Sequence, residues 1–174
     1  MSKRESAKMS LTEDIEILKR QEDKLQFARM NEEDAWQLGN QMRRAALAKS
    51  YPFVIDIRMG IRPLFYTALP GSTPENPDWV RRKVNTVYRF EASSYRIGRE
   101  YQFRGAAFDV SRGIDVMQFA PAGGGFPIRL SGSVVGAVTV SGIPQRDDHN
   151  FVAEHLAEFL GVAYNSIQLP PESD

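Results

Sequence analysis

The sequence predicts an α/β (α+β) protein, with helices in three layers, α/β/α, about a mainly antiparallel sheet. Strand-like runs fold back on each other near Gly60 and again across Ser131-Gly132-Ser133, which reads as two β-hairpins. Segments before, between and after these hairpins carry apolar residues at helical spacing. Val134 to Val140 is apolar on both sides, as an inner strand covered on both faces would be.

The elements follow in order. Residues 1–9 read as a disordered start. Ser10-Leu11-Thr12-Glu13 fits a capping box, and a helix to about Lys24 follows with Leu11, Ile15, Leu18 and Leu25 on one stripe. Residues 25–28 read as a short edge strand. Asn31 with Asp34 three residues on opens a helix to about Lys49 that buries Ala35, Leu38, Met42 and Ala45 or Ala46. Phe53, Ile55 and Ile57 alternate with Val54, Asp56 and Arg58 into the first hairpin. Asn76-Pro77 reads as a cap with proline at the first helical position, opening a helix to about Phe90. Ser93 or Ser94 caps another to about Arg104, and residues 105–122 carry no clear pattern. The glycine-rich hairpin comes next. Asp147 then caps a last helix to about Leu160, which buries Val152, Leu156, Phe159 and Leu160. Residues 168–174 read as an unstructured tail.

A chain of 174 residues, 42% apolar and 25% charged, suits one domain over 1–174 with a sizeable core. Lys plus Arg equals Asp plus Glu at 22 each, which argues against the basic face that a nucleic acid needs. No cysteine is present, so disulfides, thiolate metal sites and cysteine nucleophiles are excluded. No apolar run reaches the length of a membrane span, and residues 1–9 lack the apolar segment of a signal peptide, so a cytoplasmic location without membrane attachment is expected.

The chemistry-bearing residues are few. Gly123, Gly124 and Gly125 can present backbone N–H groups to an anion, or simply lead into a strand. Pro77-Asp78-Trp79-Val80-Arg81-Arg82-Lys83 places three cations in the first two turns of a helix, against its dipole. An anionic ligand or a partner carboxylate would relieve this, and Trp79 with Arg81 suits a subunit interface. Of the two histidines, His149 reads as a surface or capping residue and His155 as half-buried; six residues apart, they do not share a helix face for one metal. Tyr95 reads as packed at a capped helix start. Thr139 and Ser141 are expected to satisfy each other or the backbone. Neither a nucleophile elbow nor a zinc-protease helix is present.

Several motifs in the same order carry a resemblance. They are Val54-Ile55-Asp56-Ile57-Arg58, Ala68-Leu69-Pro70-Gly71-Ser72-Thr73-Pro74 and Asp78-Trp79-Val80-Arg81-Arg82-Lys83. Gly123 to Leu130, Val134 to Gln145 and Asp147-Asp148-His149 complete the set. Together they resemble the haem-degrading, HbpS-like domain family, which includes the GlcG proteins and the C-terminal domain of PduO. More closely they resemble its longer, largely uncharacterised subgroup from bacteria and fungi. The resemblance implies a profilin-like α/β/α fold about a five-stranded antiparallel sheet, and homo-oligomers. It implies a small anionic ligand, with haem as the named candidate cofactor and no separate metal site. The ligand residues would be Arg82, Lys83, Tyr95, Gly123, Gly124, Gly125, Phe126 and His149. The subgroup often carries a histidine just before its glycine pair, where this chain has Ala122, so haem-degrading enzymology ranks last among the expectations. A scaffold without a small ligand is the alternative to a binding protein.

Overall fold

A computed structural model describes the backbone of residues 3–170 and the side chains of residues 9–170. Five helices and four strands follow in the order α1 (Lys3–Lys24), α2 (Glu32–Ala48), β1 (Val54–Met59), β2 (Arg62–Ala68), α3 (Glu75–Phe90), α4 (Ser94–Arg104), β3 (Gly125–Leu130), β4 (Ser133–Ser141) and α5 (Gln145–Leu160). The strands form one antiparallel sheet in the order β2-β1-β4-β3. The two hairpins therefore meet along β1 and β4, which places β4 inside the sheet.

Strand alternation sorts the core into two faces. Ile55 and Ile57 of β1, Phe126 and Ile128 of β3, and Val138 and Val140 of β4 pack with Leu38 and Met42 of α2 and with Val152 and Leu156 of α5. On the opposite face Val54 and Ala137 meet Val80, Val84 and Val87 of α3. These three layers are the ones that the hairpins and amphipathic helices predict. At the β3 side, α1 packs along α4, and Leu18, Tyr95 and Leu169 close a smaller cluster.

Several local expectations are corrected. The chain is helical from Lys3, so Ser10 lies inside α1 and starts nothing; Ala7, Lys8 and Met9 are good helix formers that let the helix extend. The edge strand at 25–28 is a single parallel bridge between Phe27 and Leu130, and the sheet has four strands, not the five implied by the resemblance. Helix α3 opens one residue ahead of Asn76, with Pro74 at its N-cap and no side-chain cap. Asn76 instead accepts from the Thr73 N–H at 2.7 Å and so closes the preceding turn. Helix α5 likewise begins behind Pro144 with no side-chain cap, which leaves Asp147 exposed in its first turn. Phe159 and Leu160 are only partly buried, whereas Leu169, in the expected tail, is 2% exposed. Residues 1–2 and 171–174 lie outside the described residues. The Asn31 cap of α2 and the Ser93 cap of α4 form as the sequence predicts, and Asp34 returns to the Asn31 N–H to complete a capping box.

Residues 105–122 are largely irregular but tied to α3. Arg81 donates to the Met117 carbonyl and to Gln118, Asn85 donates to the Gln118 carbonyl, and the Ala120 N–H reaches Thr86 Oγ1 at 2.9 Å. This strapping delivers Ala122 and the three glycines to the end of β4. Among the described residues no helix is long and apolar enough to cross a membrane.

Candidate functional site

The glycine loop is packed, not open. A Cβ on Gly123 would stand 1.8 Å from the Gln145 carbonyl oxygen, and one on Gly124 would stand 2.3 Å from that of Val140. Gly124 also has φ +123°, a conformation that L side chains rarely adopt. Ser94 Oγ donates to the Ala122 carbonyl at 2.5 Å, and the Gly125 N–H donates to Ser94 Oγ at 3.0 Å. Of the two readings of these glycines, the structure therefore shows the strand lead-in: protein atoms fill the space that a cradle would hold.

The open space lies one residue earlier. A cleft of about 430 Å³ is lined by Glu75, Asn76, Trp79, Ala122, Ser141, Gly142, Ile143, Gln145 and Asp148. Its walls are the first turns of α3 and α5, and both helices begin behind a proline with no side-chain cap. Two positive dipole ends thus face one cleft. Glu75 partly answers the end of α3. Trp79, 37% exposed, supplies an aromatic face.

Behind the cleft is a buried ion pair. Lys83 Nζ donates to Asp148 Oδ2 at 2.7 Å and to the Val140 carbonyl at 3.0 Å, and each side chain of the pair is 3% exposed. Asp148 Oδ1 accepts from the Ile143 N–H at 3.1 Å. The pair joins α3, β4 and α5. Burial drives the Asp148 carboxyl up to about 6, although Lys83 and the backbone N–H groups oppose the rise. Burial likewise pushes the Lys83 ammonium down, against the pull of Asp148.

The basic start of α3 is answered from within. Asp78 pairs with Arg81 at 2.8 Å and with Arg82 at 2.9 Å, and the Arg82 guanidinium stacks over Trp79 at 4.0 Å from the ring centre. The cations therefore do not converge as a set. Arg81 is on the surface, Arg82 lies against the indole, and Lys83 is in the interior.

His149 is fully buried, which corrects its reading as a surface or capping residue. Position 149 falls on the core side of α5, between Arg146 and Val152, and its ring lies 5.2 Å from that of Tyr95 and 6.0 Å from that of Phe126. Gln21 Nε2 donates to the Ile167 carbonyl at 2.8 Å, so Gln21 Oε1 accepts from His149 Nε2 at 2.7 Å. Burial pushes His149 down to about 3, which keeps it neutral at physiological pH. His155 is also buried, with Nδ1 2.7 Å from the Phe151 carbonyl oxygen. Tyr95 is packed as expected, and its hydroxyl accepts from Arg99 and Arg146. Phe126 is a core residue. Ser141 Oγ accepts from Asn76 at 3.4 Å, but buried Thr139 Oγ1 has no partner, contrary to its expected pairing.

Of the expected ligand residues, then, Lys83 lies behind the cleft, Arg82 backs its aromatic wall, and Gly123, Gly124 and Gly125 are packed against protein and do not line it. Tyr95, Phe126 and His149 belong to the interior. Sequence reasoning missed Asp148 as the partner of Lys83, and Asn76 and Gln145 as lining. A signal for the burial of each was present: Lys83 shares the apolar face of α3 with Val80, Val84 and Val87, and Asp148 precedes buried Val152 by four.

The profile of the family described as haem degrading protein HbpS-like matches residues 30–157. The chain belongs to this family. A UPF0303 protein of Mesorhizobium japonicum is 41% identical over 167 residues, covering 95% of this chain and all of that relative. The crystal structure of Ybr137w protein superposes with a TM-score of 0.78 at 27% identity, over 90% of this chain and 97% of that one. A PduOC:Heme complex superposes with a TM-score of 0.63 at 18% identity, over 77% and 96%, a likeness of fold.

The ordinary axial ligands of haem iron are His, Met, Tyr and Cys. None of them lines this cleft. The residues present offer a flat aromatic face and two helix N-termini, with Glu75 and Asp148 as the charged groups, and they do not fit iron ligation.

Proposed function

We propose that this chain is a binding protein for a small, flat, carboxylate-bearing ligand seated in the cleft between the first turns of α3 and α5. The observation that carries this reading is the joint presence of the Trp79 face and two uncapped helix ends around one cleft of about 430 Å³. Haem is the ligand to test first, because of the family and because of the structural neighbour in complex with heme. The porphyrin face would lie on Trp79, with its carboxylates toward the helix ends. No iron bond to this chain is part of the reading, and no haem breakdown is assigned.

Titration with hemin, and with metal-free protoporphyrin IX, at near-equal stoichiometry tests this. Both are expected to shift their absorption with wild-type protein and not with Ala122→Trp, which fills the cleft. His149→Ala is expected to leave the hemin band where it is. No spectral change with either porphyrin would remove the reading.

A second reading, self-association, draws on the apolar surface of Val116 and Met117, 47% and 67% exposed, whose carbonyls accept from Arg82 and Arg81 of α3. Sedimentation of wild type against Met117→Glu tests it. A monomer in both, or an unchanged assembly, counts against this surface.

A further inference from the structure

We infer that ligand binding in the cleft is coupled to uptake of one proton by Asp148, which leaves Lys83 to neutralise the ligand carboxylate. This rests on the cleft reading above and adds its pH regulation. Asp148 lines the cleft, and Lys83 stands directly behind it at 2.7 Å. No cation lines the cleft itself; its own charged residues are Glu75 and Asp148, both acidic. A ligand carboxylate that enters would therefore place a second anion against a buried pair with a single cation. Two carboxylates sharing one buried cation do not both stay ionised, and one takes a proton.

Asp148 is the one poised to do so. Lys83 from α3 and the Ile143 N–H are its close partners. Arg82 acts on Lys83 from the same helix, disfavouring the ammonium, and Glu75 stands across the cleft. On α5 itself Asp147 is exposed, the Arg146 guanidinium is turned to Asp14 at 2.8 Å, and His149 is held neutral. None of these supplies a second cation at the carboxylate. Burial has already raised Asp148 to about 6, so little further stabilisation of its acid form suffices to protonate it at neutral pH. On protonation Asp148 keeps the Ile143 N–H on Oδ1, and Lys83 is released to face the ligand.

The sign follows from linkage. Below pH 6 Asp148 is already protonated in the free protein, so affinity is flat. Above it each bound ligand must bring a proton, and Kd rises about tenfold per pH unit until the bound-state pKa is reached.

The test uses metal-free protoporphyrin IX, which has no iron-bound water to titrate, read by its fluorescence from pH 5.5 to 8.5. The wild type is expected to weaken at least tenfold from pH 6 to 8. Mixing protein and porphyrin at pH 7.5 in weak buffer with an indicator dye is expected to show proton uptake. Asp148→Asn, a permanent mimic of the protonated form, should bind at pH 8 at least tenfold tighter than the wild type and without pH dependence. The dye measurement on wild type stands if that variant does not fold. Binding with a flat pH profile and no proton uptake overturns the coupling alone. No porphyrin binding at any pH overturns the cleft reading, and this inference with it.

Discussion

Replacing Lys83 by Met keeps the side-chain length and strands Asp148 in the interior. The buried carboxylate then has one escape, to take up a proton. Neutralising a carboxyl with an ordinary value of 3.8 at pH 8 takes about 5.7 kcal/mol, at ~1.4 kcal/mol per pH unit. The wild type already bears about 3 kcal/mol of this, because Asp148 is raised to about 6. The variant therefore loses up to about 3 kcal/mol at pH 8, within the range seen when one partner of a buried pair is removed. At pH 5 Asp148 is protonated in both proteins, and the loss falls below about 1 kcal/mol. Urea unfolding at the two pH values reads this directly, and at pH 8 the melting temperature should drop by roughly 6–12 °C. An equal loss at both pH values, or a loss under about 1 kcal/mol at pH 8, would refute the assignment of Lys83 and Asp148 as a mutually dependent buried pair.

Other outcomes follow from the same geometry. Gly124→Ala forces a Cβ to 2.3 Å from the Val140 carbonyl oxygen at φ +123°, and a loss of about 3–5 kcal/mol in unfolding free energy is expected from strain and overpacking. A neutral result there would return the loop to an open cradle. Two buried groups also oppose each other in acid. His149, pushed down to about 3, contributes stability above its ordinary 6.5 that is lost as pH falls; Asp148, raised to about 6, contributes stability below 3.8 that is lost as pH rises through 6. Between pH 6 and 4 these trends nearly cancel. Asp148→Asn should leave the histidine alone and make stability fall by about 1.4 kcal/mol per pH unit on acidification, whereas a flat profile would show that His149 is not held neutral.

Much of the fold was legible because its signals are local. The capping box at Asn31, the turn at Gly60 and the two-sided apolar run of β4 each specify backbone geometry within a few residues. The sequence reading starts α3 at Asn76 and α5 at Asp147, because it looks for a capping side chain, whereas both helices begin earlier behind an uncapped proline, Pro74 or Pro144. The site was harder to read because its groups meet across long separations. Lys83 and Asp148 are 65 residues apart, and nothing near either names the other. His149 was misplaced for the same reason: its partner Gln21 comes from α1, 128 residues away. The three glycines were visible from the start, but whether a backbone turn faces a ligand or its own protein depends on what packs against it.

Trp79 offers the most direct measurement of the central claim, because the chain has only one other tryptophan, Trp36. In a Trp36→Phe background the remaining indole reports on the cleft wall alone. Titration with protoporphyrin IX is expected to quench its emission to a plateau at one ligand per chain, and Ala122→Trp is expected to abolish porphyrin binding read by porphyrin fluorescence. Porphyrin that binds while Trp79 emission stays unquenched would place the ligand elsewhere and contradict the account.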